Sequence, residues 1–236
     1  MSASSEQHSR ALVAEVTVEN LAPANGTLLA PIWFGFHDGG FSVYELDKPA
    51  NPALERLAED GNAGFLTNAF SASGAGLVQG TLFGTANILN LTAPGARTSM
   101  RVLLDGAQPR NRYFSYAAMV VPSNDAFIAN ADPRAHNIFD DNGAFIGADI
   151  VVMGSEVLDA GTEVNDEDPF HAAGTGPFIP GVGPMFIFGA GLVENGTVQK
   201  HTGYQPGGLV RSNPGFAGAD FTVPGYRVAR ITVEEA

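Results

Sequence analysis

Short runs of the chain alternate apolar and polar side chains, and each run stops at glycine, proline or an Asn/Asp pair. In Leu12–Val18, Val13, Glu15 and Thr17 face one way and Ala14, Val16 and Val18 the other; Thr98–Leu104 repeats this with Met100, Val102 and Leu104. A period of two places one face of a strand against a core and the other in solvent. Further strands are expected at Pro31–Phe36, Leu82–Leu91, Tyr113–Val121, Ala148–Met153, Met185–Phe188 and Tyr226–Val233. Pro31–Phe36 holds the single tryptophan, Trp33. Asp140-Asp141-Asn142-Gly143 is a hairpin-turn signal. One helix is expected over 52–60: Asn51 caps it, Pro52 takes its first position, Leu54, Leu57 and Ala58 form a face, and Gly61 ends it. Phe65–Gly80, rich in small residues, reads as loop, as does the Gly/Pro stretch Phe170–Gly183. The fold class this specifies is all-β, an antiparallel β-sandwich with one short helix and long loops.

A sandwich of 236 residues is one domain, here 12–236 behind a disordered tail at 1–11. The 44% apolar content supplies a substantial core. A formal charge of −13 disfavours nucleic acid and anionic membranes and favours divalent cations or basic partners. The absence of cysteine excludes disulfides, thiolate metal sites and cysteine nucleophiles. No apolar run is long enough to span a membrane; the longest, Pro177–Val193, is cut by Pro180 and Pro184. Met1–Arg10 is polar and has no apolar core, so it is not a signal peptide and reads as the start of a mature chain.

Charge concentrates at Asp159–Asp168, where Asp159, Glu163, Asp166, Glu167 and Asp168 fall within ten residues around Gly161. Such carboxylates repel one another unless solvated or bridged by a cation, and oxygen ligands on a glycine-bent loop suit Ca²⁺. The alternative is a solvated acidic turn. A second oxygen-rich turn, Pro122-Ser123-Asn124-Asp125, follows Met119–Val121. Because Val151–Met153 and Val157–Leu158 likewise run into Asp159, two strand ends could bring both acidic loops to one end of a sheet.

These two segments resemble the paired signature of the spondin domain, the amino-terminal module of F-spondin and mindin. PSNDAF (122–127) and DAGTE (159–163) stand where the animal proteins read roughly Ser-Pro-Asp-Trp-Phe and Asp-Ala-Gly-Thr-Asp. NPALERLAEDG (51–61) is similar to the "laEdG" segment of that family, and Val16–Phe36 to its opening strands. The resemblance covers roughly 12–234 and is closest to the bacterial branch. It implies a spondin/C2-like sandwich that binds Ca²⁺ through the acidic residues of the two motifs. Asp125 and Asp159 carry over directly; Glu163 stands where the animal pattern has Asp, with a longer arm. Asn124 and Asn165 are further oxygen donors, and backbone carbonyls and water would complete six to eight ligands. The chain departs from the animal domains in having no disulfides.

Other motifs point away from catalysis. His37-Asp38 invites a triad reading, but neighbours in a strand face opposite ways, so a turn role is expected. The five histidines lack metalloprotease spacing, and no Gly-x-Ser-x-Gly or phosphate-binding glycine motif occurs. Asn25, Asn90 and Asn195 in Asn-x-Thr sequences read as turn residues, and Arg97, Arg101, Arg110 and Arg112 as a solvated strand face rather than a ligand patch. The expected function is that of a secreted or cell-surface, calcium-binding adhesion or matrix-interaction module, not an enzyme. Its partner would be extracellular matrix, a surface protein or a glycan. The alternatives are a structural protein that self-associates and, third, a calcium-dependent hydrolase.

Overall fold

The computed structural model describes residues 11–86, 89–168, 178–179, 183–184 and 191–236. In chain order the elements are β1 (Ala11–Asn20), β2 (Leu28–Leu29), β3 (Ile32–His37), α1 (Pro52–Asp60), α2 (Gly64–Ser73), β4 (Gly76–Leu82), β5 (Arg97–Asp105), β6 (Tyr113–Val121), β7 (Ala126–Ala129), β8 (Ala148–Met153), β9 (Leu158–Asp159), β10 (Phe178–Ile179), β11 (Gly183–Pro184), β12 (Gln199–Lys200), α3 (Leu209–Ser212) and β13 (Arg227–Glu235). One sheet runs β5-β1-β13-β8; the other runs β12-β9-β7-β6-β3-β4, with β2 beside β6; β10 and β11 pair separately. All described pairings are antiparallel, and the architecture is an all-β sandwich with long loops.

The two sheets read differently because they are buried differently. The first is two-faced: Ala14, Val16 and Val18 of β1 meet Val228, Ile231 and Val233 of β13 in the core, while the alternate residues face outward. The second is covered on both sides. Phe34, Phe36, Phe114, Tyr116 and Ile128 face the first sheet. Trp33, Ala117, Phe127 and Leu158 face the opposite way, against Leu54 and Leu57 of α1 and Leu66 and Phe70 of α2. Double coverage explains why 31–36 and 113–121 are continuous apolar runs rather than alternating ones.

The helix expected at 52–60 is α1. Asn51 Oδ1 accepts from the Ala53 and Leu54 N–H groups at 3.0 Å each, and Gly61 closes it in the left-handed region at φ 64°. Phe65–Gly80, expected as loop, instead holds α2 and most of β4. The α2 segment GFLTNAFSAS has no side-chain N-cap and presents only Leu66 and Phe70 as buried residues. Gly74 closes it in the left-handed region, and packing those two side chains into the cluster with Trp33 and Phe41 holds it in place. Of the strand expected over Leu82–Leu91 only Leu82 is strand, as the last residue of β4, opposite Ile32 where β3 begins. The tail at 1–10, most of the 170–183 loop and the strand expected at Met185–Phe188 lie outside the described residues. Among the described residues, no helix is long and apolar enough to cross a membrane.

Asn25, Asn90 and Asn195 all have positive φ, 58°, 57° and 57°, so each is a left-handed turn residue as its sequence suggests. The 140–143 turn also forms: Asp140 Oδ1 accepts from Asn142 N and Ala144 N at 2.8 Å each.

Candidate functional site at the strand-end carboxylates

The antiparallel register brings the two acidic segments together. Asp159 of β9 pairs directly with Ala126 of β7, the residue after Asp125, and the Asp125 carbonyl accepts from Ala160 N at 3.2 Å. The turn before β7 is held by Ser123, whose hydroxyl donates to the Val120 carbonyl at 2.6 Å and accepts from Ala126 N at 3.1 Å. Chain direction and pairing thus place Asp125 beneath the loop that follows Asp159.

Asp125 has no exposed surface. Its Oδ2 accepts from Thr162 N at 2.8 Å, Thr162 Oγ1 at 3.1 Å and Glu163 N at 3.1 Å. Its Oδ1 is equally buried and has no hydrogen-bond partner. Burial pushes the Asp125 carboxyl up to about 6, and the Asp159 charge adds to that rise; the three donors on Oδ2 oppose it. Asp159 is better supplied: Oδ1 accepts from Gly161 N at 2.7 Å and Oδ2 from the Asn165 amide at 2.5 Å.

Glu163 belongs to the same loop but turns away from that pair. Its Oε1 accepts from Gly191 N at 2.5 Å, and its side chain lines a cleft beside α1 that neither Asp125 nor Asp159 lines. Burial pushes its carboxyl up to about 7, with Glu59, Asp125 and Asp60 adding to the rise. Among the described residues, no group of three or more His, Asp or Glu side chains converges as metal ligands do. The structure therefore sets Asp125 and Asp159 side by side and connects Glu163 to them through backbone and charge.

The other acids of the stretch have structural duties. Glu167 is buried at a positive φ of 55°; its carboxylate accepts from Gln205 N at 2.6 Å and from Val210 N, in the first turn of α3, at 3.0 Å. Asp166 accepts from the Asn124 amide at 3.2 Å and from Asp168 N at 2.9 Å. Asn124 is thus bonded to the loop, while Asn165 points at Asp159. Two residues that sequence reasoning passed over also belong here. Glu59 of α1, whose carboxyl is raised by burial, is within reach of the Thr162 hydroxyl. His201 is buried; its Nδ1 accepts from Gly203 N at 2.9 Å, and burial lowers its pKa while Asp159 opposes that shift. A signal for Glu59 was present in the sequence: it lies one turn after Glu55, two residues before the Gly61 cap.

His37 and Asp38 do split to opposite sides: His37 is buried, whereas Asp38 is exposed and accepts from Gly40 N at 2.8 Å in the turn. His37 meets Ser115, with Nε2 2.8 Å from the hydroxyl. Gly39 N donates to Nδ1 at 3.0 Å, and burial lowers the imidazole pKa to about 4. In the neutral ring the proton is therefore on Nε2, which donates to Ser115; a base that activates serine must accept there. No protein-family model matches the chain, and no curated protein matches it.

Proposed function

We propose that the chain is a calcium-binding β-sandwich in which the cation clamps the ends of β6–β7 and β9, and that it acts outside the cell as an adhesion or matrix-interaction module rather than as an enzyme. The observation that carries the metal reading is Asp125 Oδ1, a fully buried carboxylate oxygen with no partner, beside the like charge of Asp159. An unpaired buried charge is costly, and a cation relieves it. The donor set fits a hard cation: Asp125 Oδ1 and Asp159 would hold it, carbonyls and water would complete the shell, and Glu163 would add a third carboxylate only by turning back from Gly191. Loop-borne oxygens of this kind suit Ca²⁺ better than Mg²⁺, which demands a tight octahedron. The cation would supply charge neutralisation and loop order, not chemistry. The extracellular role rests on the resemblance of 122–127 and 159–163 to the spondin pair, with matrix, a surface protein or a glycan as partner.

Isothermal titration tests this reading. Asp125→Asn and Asp159→Asn should each lose calcium binding, Glu163→Gln should weaken it to a similar or smaller degree, and the turn variants Asp140→Asn and Asp141→Asn should bind as the parent does. Parent-like affinity in Asp125→Asn and Asp159→Asn would place the cation elsewhere.

A second reading, self-association, is favoured by the four-stranded sheet. Its end strands are β5 and β8, and its outer face carries the cross-strand pair Val13 and Leu103, 44% and 66% exposed, near an otherwise charged ladder of Glu15–Arg101 and Glu19–Arg97. Light scattering that grows with protein concentration in chelator supports it; a constant monomer mass removes it.

A further inference from the structure

A cleft of about 280 Å³ opens between α1 and the loops at 161–163 and 191–196. A single water needs only ~10–15 Å³ of such space, so the cleft suits a chain of several heavy atoms rather than a bare ion. Pro49, Ala50 and Val193 give it apolar wall, and Glu55, Glu59 and Glu163 give it acidic wall. Arg56 is the one basic residue in the lining, and its guanidinium is already ion-paired with Glu55, Glu59 and Asp60. Glu163 is only 5% exposed. Its Oε1 takes the Gly191 N–H. The carboxylate rests directly against the glycine backbone: a Cβ on Gly191 would lie 2.3 Å from Glu163 Cδ. The cleft thus combines a largely buried carboxylate, a surplus of negative charge and an apolar flank.

We propose that this cleft is a socket for a lysine or arginine side chain of a basic protein partner. The aliphatic stem lies along Pro49, Ala50 and Val193, and the cationic head reaches Glu59 and Glu163 Oε2. Long cationic side chains have this division between apolar stem and charged tip. The chain's net charge of −13 steers a basic partner toward the surface. The inference goes beyond the calcium reading and shares only Glu163 with it.

The test is a titration in chelator, so that calcium plays no part. The blocked tripeptides acetyl-Gly-Arg-Gly-amide and acetyl-Gly-Lys-Gly-amide are added to the full chain and followed by NMR shifts, with citrulline, the neutral isostere of arginine, as the control residue. The arginine and lysine peptides should bind with Kd on the order of 1 mM, and the citrulline peptide about tenfold more weakly or less. Glu59→Gln and Glu163→Gln should each weaken the arginine peptide by about five- to tenfold, and high salt should do the same. Asp141→Asn, at the exposed 140–143 turn, should leave peptide binding unchanged because Asp141 neither lines the cleft nor bonds to a residue that does. Equal binding of the citrulline peptide by the unmodified protein overturns the proposal. So does parent-like binding in Glu59→Gln, or a loss in Asp141→Asn as large as that in Glu59→Gln.

Discussion

Replacing Asp125 by Asn removes a charge whose cost is legible in the structure, and the cost depends on pH. The ordinary aspartate value is 3.8, and burial beside Asp159 raises it to about 6 in the folded chain. The native state then holds a proton that the unfolded chain has released. Stability from this group is present below pH 4 and is lost as pH rises through about 6. A difference of roughly two units corresponds to about 3 kcal/mol. Asparagine does not titrate. In chelator, the stability of Asp125→Asn minus that of the parent should therefore become about 3 kcal/mol more positive between pH 4 and pH 7.5. The histidines titrate in both proteins and cancel in the difference. Trp33, the single tryptophan and fully buried against α2, reports unfolding in urea by its fluorescence. Calcium largely offsets this shift at pH 7.5: at a hundredfold excess over Kd the parent gains about 2.7 kcal/mol and the variant little. If the difference is flat with pH in chelator, Asp125 ionises as an ordinary carboxylate, and there is no unrelieved charge for a cation to neutralise.

Four further outcomes are expected. Glu167→Ala should destabilise the fold by about 2–4 kcal/mol, because it strips the acceptors from the Gln205 and Val210 N–H groups, while leaving the calcium titration unchanged; a lost titration would make Glu167 part of the metal site. Asn51→Ala should lower stability by about 1 kcal/mol in urea melts by removing the cap of α1. Phe70→Ala should cost about 3–5 kcal/mol by opening a cavity between α2, Trp33 and Phe41. His37 contributes stability that is present above pH 6.5 and lost as pH falls through about 4, so the acid limb of the parent's stability curve should flatten in His37→Asn.

The strands were legible where a single physical rule governs them. β1 and β5 alternate because one of their faces meets solvent, and β6 is a continuous apolar run because α1 covers its second face. Helix α1 was legible because Asn51, Pro52 and Gly61 act locally. Helix α2 was not, because it has no side-chain N-cap and its two buried positions matter only once Trp33 and Phe41 are in place. The same tertiary dependence sets the strand at 76–82 instead of 82–91, because β3 supplies partners only as far as Leu82.

At the site, sequence located the acids but not their assignments. Asp125, Asp159, Glu163, Asp166 and Glu167 are interchangeable in composition, and what separates them is the supply of backbone N–H groups around each. Glu167 faces two such donors and is satisfied as a structural cap. Asp159 has one donor on each oxygen. Glu163 has one on Oε1, and Asp125 has three crowded on Oδ2 with none on Oδ1. Donor positions follow from where the loop backbone turns, which in turn follows from β7–β9 pairing and from Gly161, held at φ 68° with no room for a Cβ against Thr197. A single methyl there should therefore act on the site without touching any carboxylate. Gly161→Ala forces the turn to shift, carrying the Thr162 and Glu163 N–H groups off Asp125 Oδ2. Calcium affinity should then fall although every charged residue remains, a result that a merely acidic surface patch, indifferent to backbone geometry, would not give.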